Sequence, residues 1–135
     1  MKCLIVEDDF RARKLLQIHL SKYFDCFIAV DGDEAVEAFA EELVKGQPYD
    51  LICLDIMMPR MNGHEALKLI REAEQVKGIG GLDCTKIIMT TALGESKDVI
   101  GAFREGCEAY IVKPIRKAKL LREVEKLGLI SAVNI

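Results

Sequence analysis

The sequence predicts an α/β fold, a three-layer sandwich in which one wholly parallel, five-stranded sheet lies between helices. Three observations predict it. Short apolar runs recur five times, each followed by a stretch with apolar residues at helical spacing. Runs such as Leu51-Ile52-Cys53-Leu54 are continuously apolar, which suits strands buried on both faces. The 135 residues suffice for one sizeable core but not for a second module. Alternating strands and helices joined by right-handed crossovers produce that sandwich.

The elements follow in order. Cys3 to Val6 is a strand closed by Glu7-Asp8-Asp9, and Phe10 to Tyr23 is a helix carrying Ala12, Leu15, Leu16, His19 and Leu20 at helical spacing. Cys26 to Val30 is the second strand, ended by Asp31-Gly32. Asp33 is the expected N-cap of a helix with Val36, Phe39, Ala40 and Leu43 inward, stopped by Gly46-Gln47-Pro48. The third strand, Leu51 to Leu54, runs into Asp55. Met58-Pro59 forces extended backbone, and Asn62-Gly63 supplies a turn before a helix that buries Ala66, Leu67, Ile70 and Ala73. Val76 to Asp83 is a glycine-rich connector. It precedes a strand (Lys86 to Thr90) and lacks a terminal Lys-Ser/Thr, so it is not a phosphate-binding loop. Ser96 is expected to cap a fourth helix through Glu105, with Val99, Ala102 and Phe103 inward and Gly106 ending it. Ala109 to Val112 is the fifth strand, and Ile115 to Leu127 the fifth helix, with Leu120, Leu121, Val124 and Leu127 on one face. The expected organisation is one domain over 1–128, a short, loosely docked tail over 129–135, and no output domain.

Composition excludes several function classes. Half the residues are apolar, 30% are charged and the formal charge is -3, without a basic stripe, so no nucleic-acid partner is expected. The amino terminus lacks a signal-peptide core and no run reaches transmembrane length, so a cytoplasmic protein with no membrane partner is expected. Cys3, Cys26, Cys53, Cys84 and Cys107 form no CxxC pair and suggest neither a disulfide framework nor a zinc site.

In a parallel sheet the carboxyl ends of all strands share one edge, where ligands bind. Glu7, Asp8 and Asp9 end the first strand, Asp55 the third, Thr90-Thr91 the fourth and Lys113 the fifth. A cluster of Asp oxygens is a hard site suited to Mg2+. Each member has a structural alternative: a solvated acidic turn, a helix cap, a wet lysine. Their joint occurrence at the ends of four strands argues for chemistry.

Four motifs carry a resemblance: I-V-E-D-D (Ile5 to Asp9), L-D-I-M-M-P-R-M-N-G (Leu54 to Gly63), T-T-A (Thr90 to Ala92) and Y-I-V-K-P (Tyr110 to Pro114). On these, the chain from Lys2 to Leu127 resembles the receiver domain of two-component response regulators, the CheY-like family. The resemblance implies a flavodoxin-like strand order 2-1-3-4-5 and makes Asp55 the phosphoacceptor. A phosphohistidine on a sensor histidine kinase or histidine phosphotransfer protein would be the donor, since neither His19 nor His64 falls at a strand end. Mg2+ would be held by Asp8, Asp9, Asp55 and the Met57 backbone carbonyl, Asp9 directly and Asp8 largely through water. Lys113 would pair with Asp55 and then with the phosphoryl group, Thr91 would hydrogen-bond a phosphoryl oxygen, and the Lys113-Pro114 bond would be cis. A Thr91–Tyr110 switch would remodel the face of the fourth helix, fifth strand and fifth helix, where a downstream protein binds. Such a chain catalyses only its own phosphorylation and dephosphorylation, and is a monomer or a phosphorylation-dependent dimer.

Two departures bear on lifetime. Met57 and Leu93 stand two residues after Asp55 and Thr91, and an apolar pair there should hinder water, giving slow self-dephosphorylation. One rival is a haloacid-dehalogenase-like, Mg-dependent aspartyl phosphatase, which expects D-x-D after its first strand; Glu7-Asp8-Asp9 lacks that order. Another, a flavin or nucleotide binder, needs a phosphate cradle where those acids would repel one.

Overall fold

Parallel strands β1 (Lys2–Val6), β2 (Asp25–Ala29), β3 (Leu51–Asp55), β4 (Lys86–Thr91) and β5 (Ala109–Val112) pair in the order β2-β1-β3-β4-β5. The chain is seen as a computed structural model that describes residues 1–92, 101, 103 and 105–131. Helices α1 (Phe10–Leu20), α2 (Gly32–Val44), α3 (Gly63–Val76) and α4 (Lys117–Lys126) flank the sheet, and α4 is the last of the predicted helices. The middle strands are buried on both faces because helices cover both. One core packs Leu4, Val6, Ile52, Leu54, Ile87 and Met89 with α2 and α3 residues such as Phe39 and Leu67. The other packs Ile5, Cys53 and Ile88 with Leu16 and Leu20 of α1 and Leu120, Leu121 and Val124 of α4. Alternate residues of one strand thus serve opposite cores, as the two-residue period of a strand requires.

Local chemistry shifts several boundaries. α1 stops at Leu20, three residues short of the expected end. Asp31, not Asp33, is the N-cap of α2, its carboxylate accepting from the Glu34 N–H at 2.9 Å. Ala35, one turn before Phe39, lies on the buried face with Phe39 and Leu43, while Ala40 faces solvent. The connector after α3 holds a short 3-10 turn, Gly81–Asp83. Residues 93–100, 102 and 104 lie outside the described set, so the expected Ser96 cap and inward Val99 and Ala102 fall outside it too. Phe103, expected inward, is 48% exposed. At the carboxyl end, Leu129 and Ile130 pack on the second core, so the tail begins docked rather than loose.

Candidate functional site

β1 passes to α1 through three acids, and local bonding sends each a different way. The ladder runs one residue past the strand, the Glu7 N–H donating to the Ala29 carbonyl at 3.1 Å, and Glu7 is fully buried. Its carboxylate accepts from Lys113 Nζ at 2.6 Å and from the Asp9 N–H at 3.2 Å. Asp8 is exposed on the rim. The Asp9 carboxylate accepts from the Ala12 N–H at 3.2 Å, which makes it the N-cap of α1.

Asp55 is the last residue of β3, opposite Thr90 in register and only 2% exposed. Lys113 Nζ stands 3.3 Å from its Oδ1, and the Met57 N–H donates to the same oxygen at 3.4 Å. The backbone then doubles back closely: a Cβ on Gly63 would lie 2.4 Å from the Asp55 carbonyl oxygen, so no larger residue fits. Thr91 is fully buried at the end of β4, and its carbonyl accepts from the Lys113 N–H at 2.6 Å. Tyr110, in β5, is partly buried against the core shared with α2 and α3. The Lys113-Pro114 bond is cis.

Among the described residues, Glu7, Asp8 and Asp55 each offer a carboxylate oxygen within 4.8 Å of the others. Asp8 and Asp55 therefore meet with Lys113 as expected, but Asp9, expected as the direct metal ligand, is not in this group, and Glu7 takes its place. The reason is competition. An aspartate immediately before a helix finds a free backbone N–H within reach, whereas Glu7 is carried inward by the strand. Asp8 is exposed as a residue, but partial desolvation of its carboxylate, and then the neighbouring Glu7 carboxylate, raise its pKa. Burial disfavours the Lys113 ammonium, yet its bond to Glu7 and the charge of Asp55 outweigh that, so its pKa is raised.

Three hard oxygen donors against one ammonium leave surplus negative charge, which a divalent cation with oxygen preference relieves; the residues fit Mg2+. Arg13 was not anticipated. Its Nη1 donates to the Glu7 carbonyl at 2.9 Å and lies 3.4 Å from that of Asp8, tying α1 to the backbone of the acidic corner. Its place one turn into α1, four residues after Asp9, is the only sequence signal.

Residues 3–125 match the family described as response regulator receiver domain. The transcriptional regulatory protein ResD of Bacillus subtilis (strain 168) is 36% identical over 127 residues, 93% of this chain and 47% of ResD. The probable transcriptional regulator ycf27 of Guillardia theta is 37% identical over 121 residues, 88% of this chain and 42% of that protein. The chain spans about half the length of these curated relatives. Among solved structures, a chain of the CheX-CheY-BeF3-Mg+2 complex from Borrelia burgdorferi aligns with TM-score 0.78 at 33% identity, over 95% of this chain and 89% of that one. The receiver domain of the histidine kinase CKI1 from Arabidopsis thaliana, complexed with Mg2+ and BeF3-, aligns with TM-score 0.77 at 28% identity, over 93% of this chain and 89% of that one.

Proposed function

Because this chain belongs to the response regulator receiver domain family, we infer that Asp55 accepts a phosphoryl group from a phosphohistidine on another protein and that the phosphorylated chain signals by binding a partner. The observation that carries this reading is the buried Asp55 carboxylate, 3.3 Å from Lys113 and within 4.8 Å of Glu7 and Asp8. In the transfer, the P–N bond to the donor imidazole breaks as a P–O bond to Asp55 forms, and the leaving imidazole nitrogen regains a proton. Asp8, Asp55 and the Met57 carbonyl would hold Mg2+, with Glu7 behind them. Bound there, Mg2+ supplies positive charge to the transferred oxygens.

The chain's own residues supply the rest. Glu7 pins the Lys113 ammonium so that its charge is aimed before the donor arrives, a preorganised electrostatic contribution. Thr91 would donate its hydroxyl to a phosphoryl oxygen. Since the Thr91 carbonyl already accepts from Lys113, movement of one is felt by the other. Tyr110 would answer by turning inward and remodelling the face around β5 and α4 for a downstream protein. Met57, 59% exposed beside the acceptor, presents an apolar side chain to approaching water and slows hydrolysis. An apolar groove of about 220 Å³ next to the rim, lined by Ala12, Leu15, Leu16, His19, Pro114 and Ile115, offers the donor protein a surface beside the nucleophile. Self-phosphorylation and self-dephosphorylation are the only reactions assigned to the chain. The phosphatase alternative finds no support, since the acids after β1 are engaged as an ion-pair anchor and a helix cap.

Mass spectrometry of the protein with acetyl phosphate and Mg2+ tests the assignment. A single phosphoryl adduct is expected in the wild type and none in Asp55→Asn. An adduct that persists in the variant overturns it.

A further inference from the structure

The loop between Asp55 and α3 contains a residue whose conformation its own packing does not explain. Arg60 has φ 65, the only positive φ among the described non-glycine residues. A left-handed conformation is unfavourable for a residue with a Cβ, and glycine is the usual occupant. The side chain is 72% exposed, so burial does not hold it there. What holds it is a bond between elements. Its guanidinium pairs with the Asp31 carboxylate and stands 4.0 Å from that of Asp33. Asp31 is itself 6% exposed and fixed as the cap of α2 by the Glu34 N–H, so the anchor is rigid.

The same two loops touch at a second point. A Cβ on Gly32 would come within 2.7 Å of the Met61 carbonyl oxygen, so the turn into α2 lies directly against the residue after Arg60. The segment is therefore gripped on both sides of its summit: at one end by Gly63 against Asp55, at the other by Asp31 and Gly32. Between these grips lies Met57, whose N–H bonds the Asp55 carboxylate and whose carbonyl is the Mg2+ ligand of the proposed function. A strained residue kept by an over-determined surrounding is a mark of a functional constraint.

We propose that the Arg60–Asp31 ion pair is a positioning clamp that holds the backbone after the phosphoacceptor in the geometry that binds Mg2+. This rests on the receiver reading for its chemistry. Arg60 and Asp31 are positioning residues: they act through the loop and touch no reacting atom.

Calorimetric Mg2+ titration tests the clamp, alongside thermal melting and phosphorylation by acetyl phosphate, on Arg60→Gly, Arg60→Lys, Asp31→Asn and the Arg60→Gly/Asp31→Asn double variant. Glycine suits φ 65 and asparagine still caps α2, so both single variants should melt within a few degrees of the wild type. Mg2+ should nonetheless bind about tenfold more weakly in each, the lower end of the loss that follows removal of an outer-shell support. The double variant should be no worse than either single one, and Arg60→Lys should recover part of the loss. Wild-type Mg2+ affinity in Arg60→Gly, or losses that add fully in the double variant, overturns the clamp. A wild type that binds Mg2+ with the expected variant pattern yet takes no phosphoryl group on Asp55 overturns the receiver reading and leaves the clamp standing.

Discussion

The two ends of the sheet use the same ingredients to opposite effect. At the amino end, Arg71 of α3 bonds Glu74, both oxygens of Glu108, the Gly106 carbonyl and the Thr85 carbonyl, all within 3.0 Å. The two carboxylates also accept backbone N–H groups, Glu74 from Thr85 at 2.7 Å and Glu108 from Ile87 at 2.6 Å. Donors and acceptors there are matched, and the cluster staples α3 to the starts of β4 and β5. At the carboxyl end, Glu7, Asp8 and Asp55 crowd together with Lys113, and the bonds to Asp55 are long, 3.3 and 3.4 Å. A saturated cluster contributes stability; an undersaturated one keeps capacity for a cation and an anion.

The contrast can be broken most sharply at Arg71. Arg71→Ala strands two carboxylates, one of them 2% exposed, and should destabilise the fold by about 3–5 kcal/mol in urea denaturation. A loss below about 1 kcal/mol would show that the amino-end cluster is not a staple. Gly63→Ala comes next, because its Cβ would meet backbone at 2.4 Å: a loss of about 1–3 kcal/mol is expected, with slower phosphorylation by acetyl phosphate.

At the carboxyl end the sign should reverse. Asp55→Asn removes one of several repelling charges and should raise stability by up to about 1 kcal/mol without Mg2+, measured by the same denaturation. A loss like that of Arg71→Ala would erase the distinction between the two ends. Lifetime sharpens the same point. With Met57 at the mouth, the phosphoryl adduct in Mg2+ should persist well beyond seconds by mass spectrometry, and Met57→Asn should shorten it.

The smallest effect concerns pH. The bond from the Glu34 N–H, with Arg60 beside it, lowers the pKa of Asp31. Its contribution is therefore present above the ordinary aspartate value of about 3.9 and is lost as pH falls through the lower folded value. The difference in melting midpoint between wild type and Asp31→Asn should shrink from pH 6 toward pH 3.

Much of this was legible in one dimension. Continuous apolar runs marked all five strands, and the residues ending them already named Asp8, Asp55, Thr91 and Lys113. Capping was less legible: Asp31 and Asp33 are both good caps by type, and which one meets a free N–H depends on where the chain turns off β2. The same ambiguity hid Glu7, since three consecutive acids differ only in which one the strand carries inward and which one the helix captures.

Taken alone, then, the sequence determined the elements, their apolar faces and the rim on which the candidate site lies, because these follow from periodicities of two and about four residues along a single segment. Only the tertiary structure decided which groups touch. Glu7 and Lys113 are 106 positions apart, and Arg60 and Asp31 are 29 apart. No local pattern encodes such pairs: they exist because parallel pairing and helix packing bring separate segment ends to one edge, where each side chain takes the nearest partner it can reach.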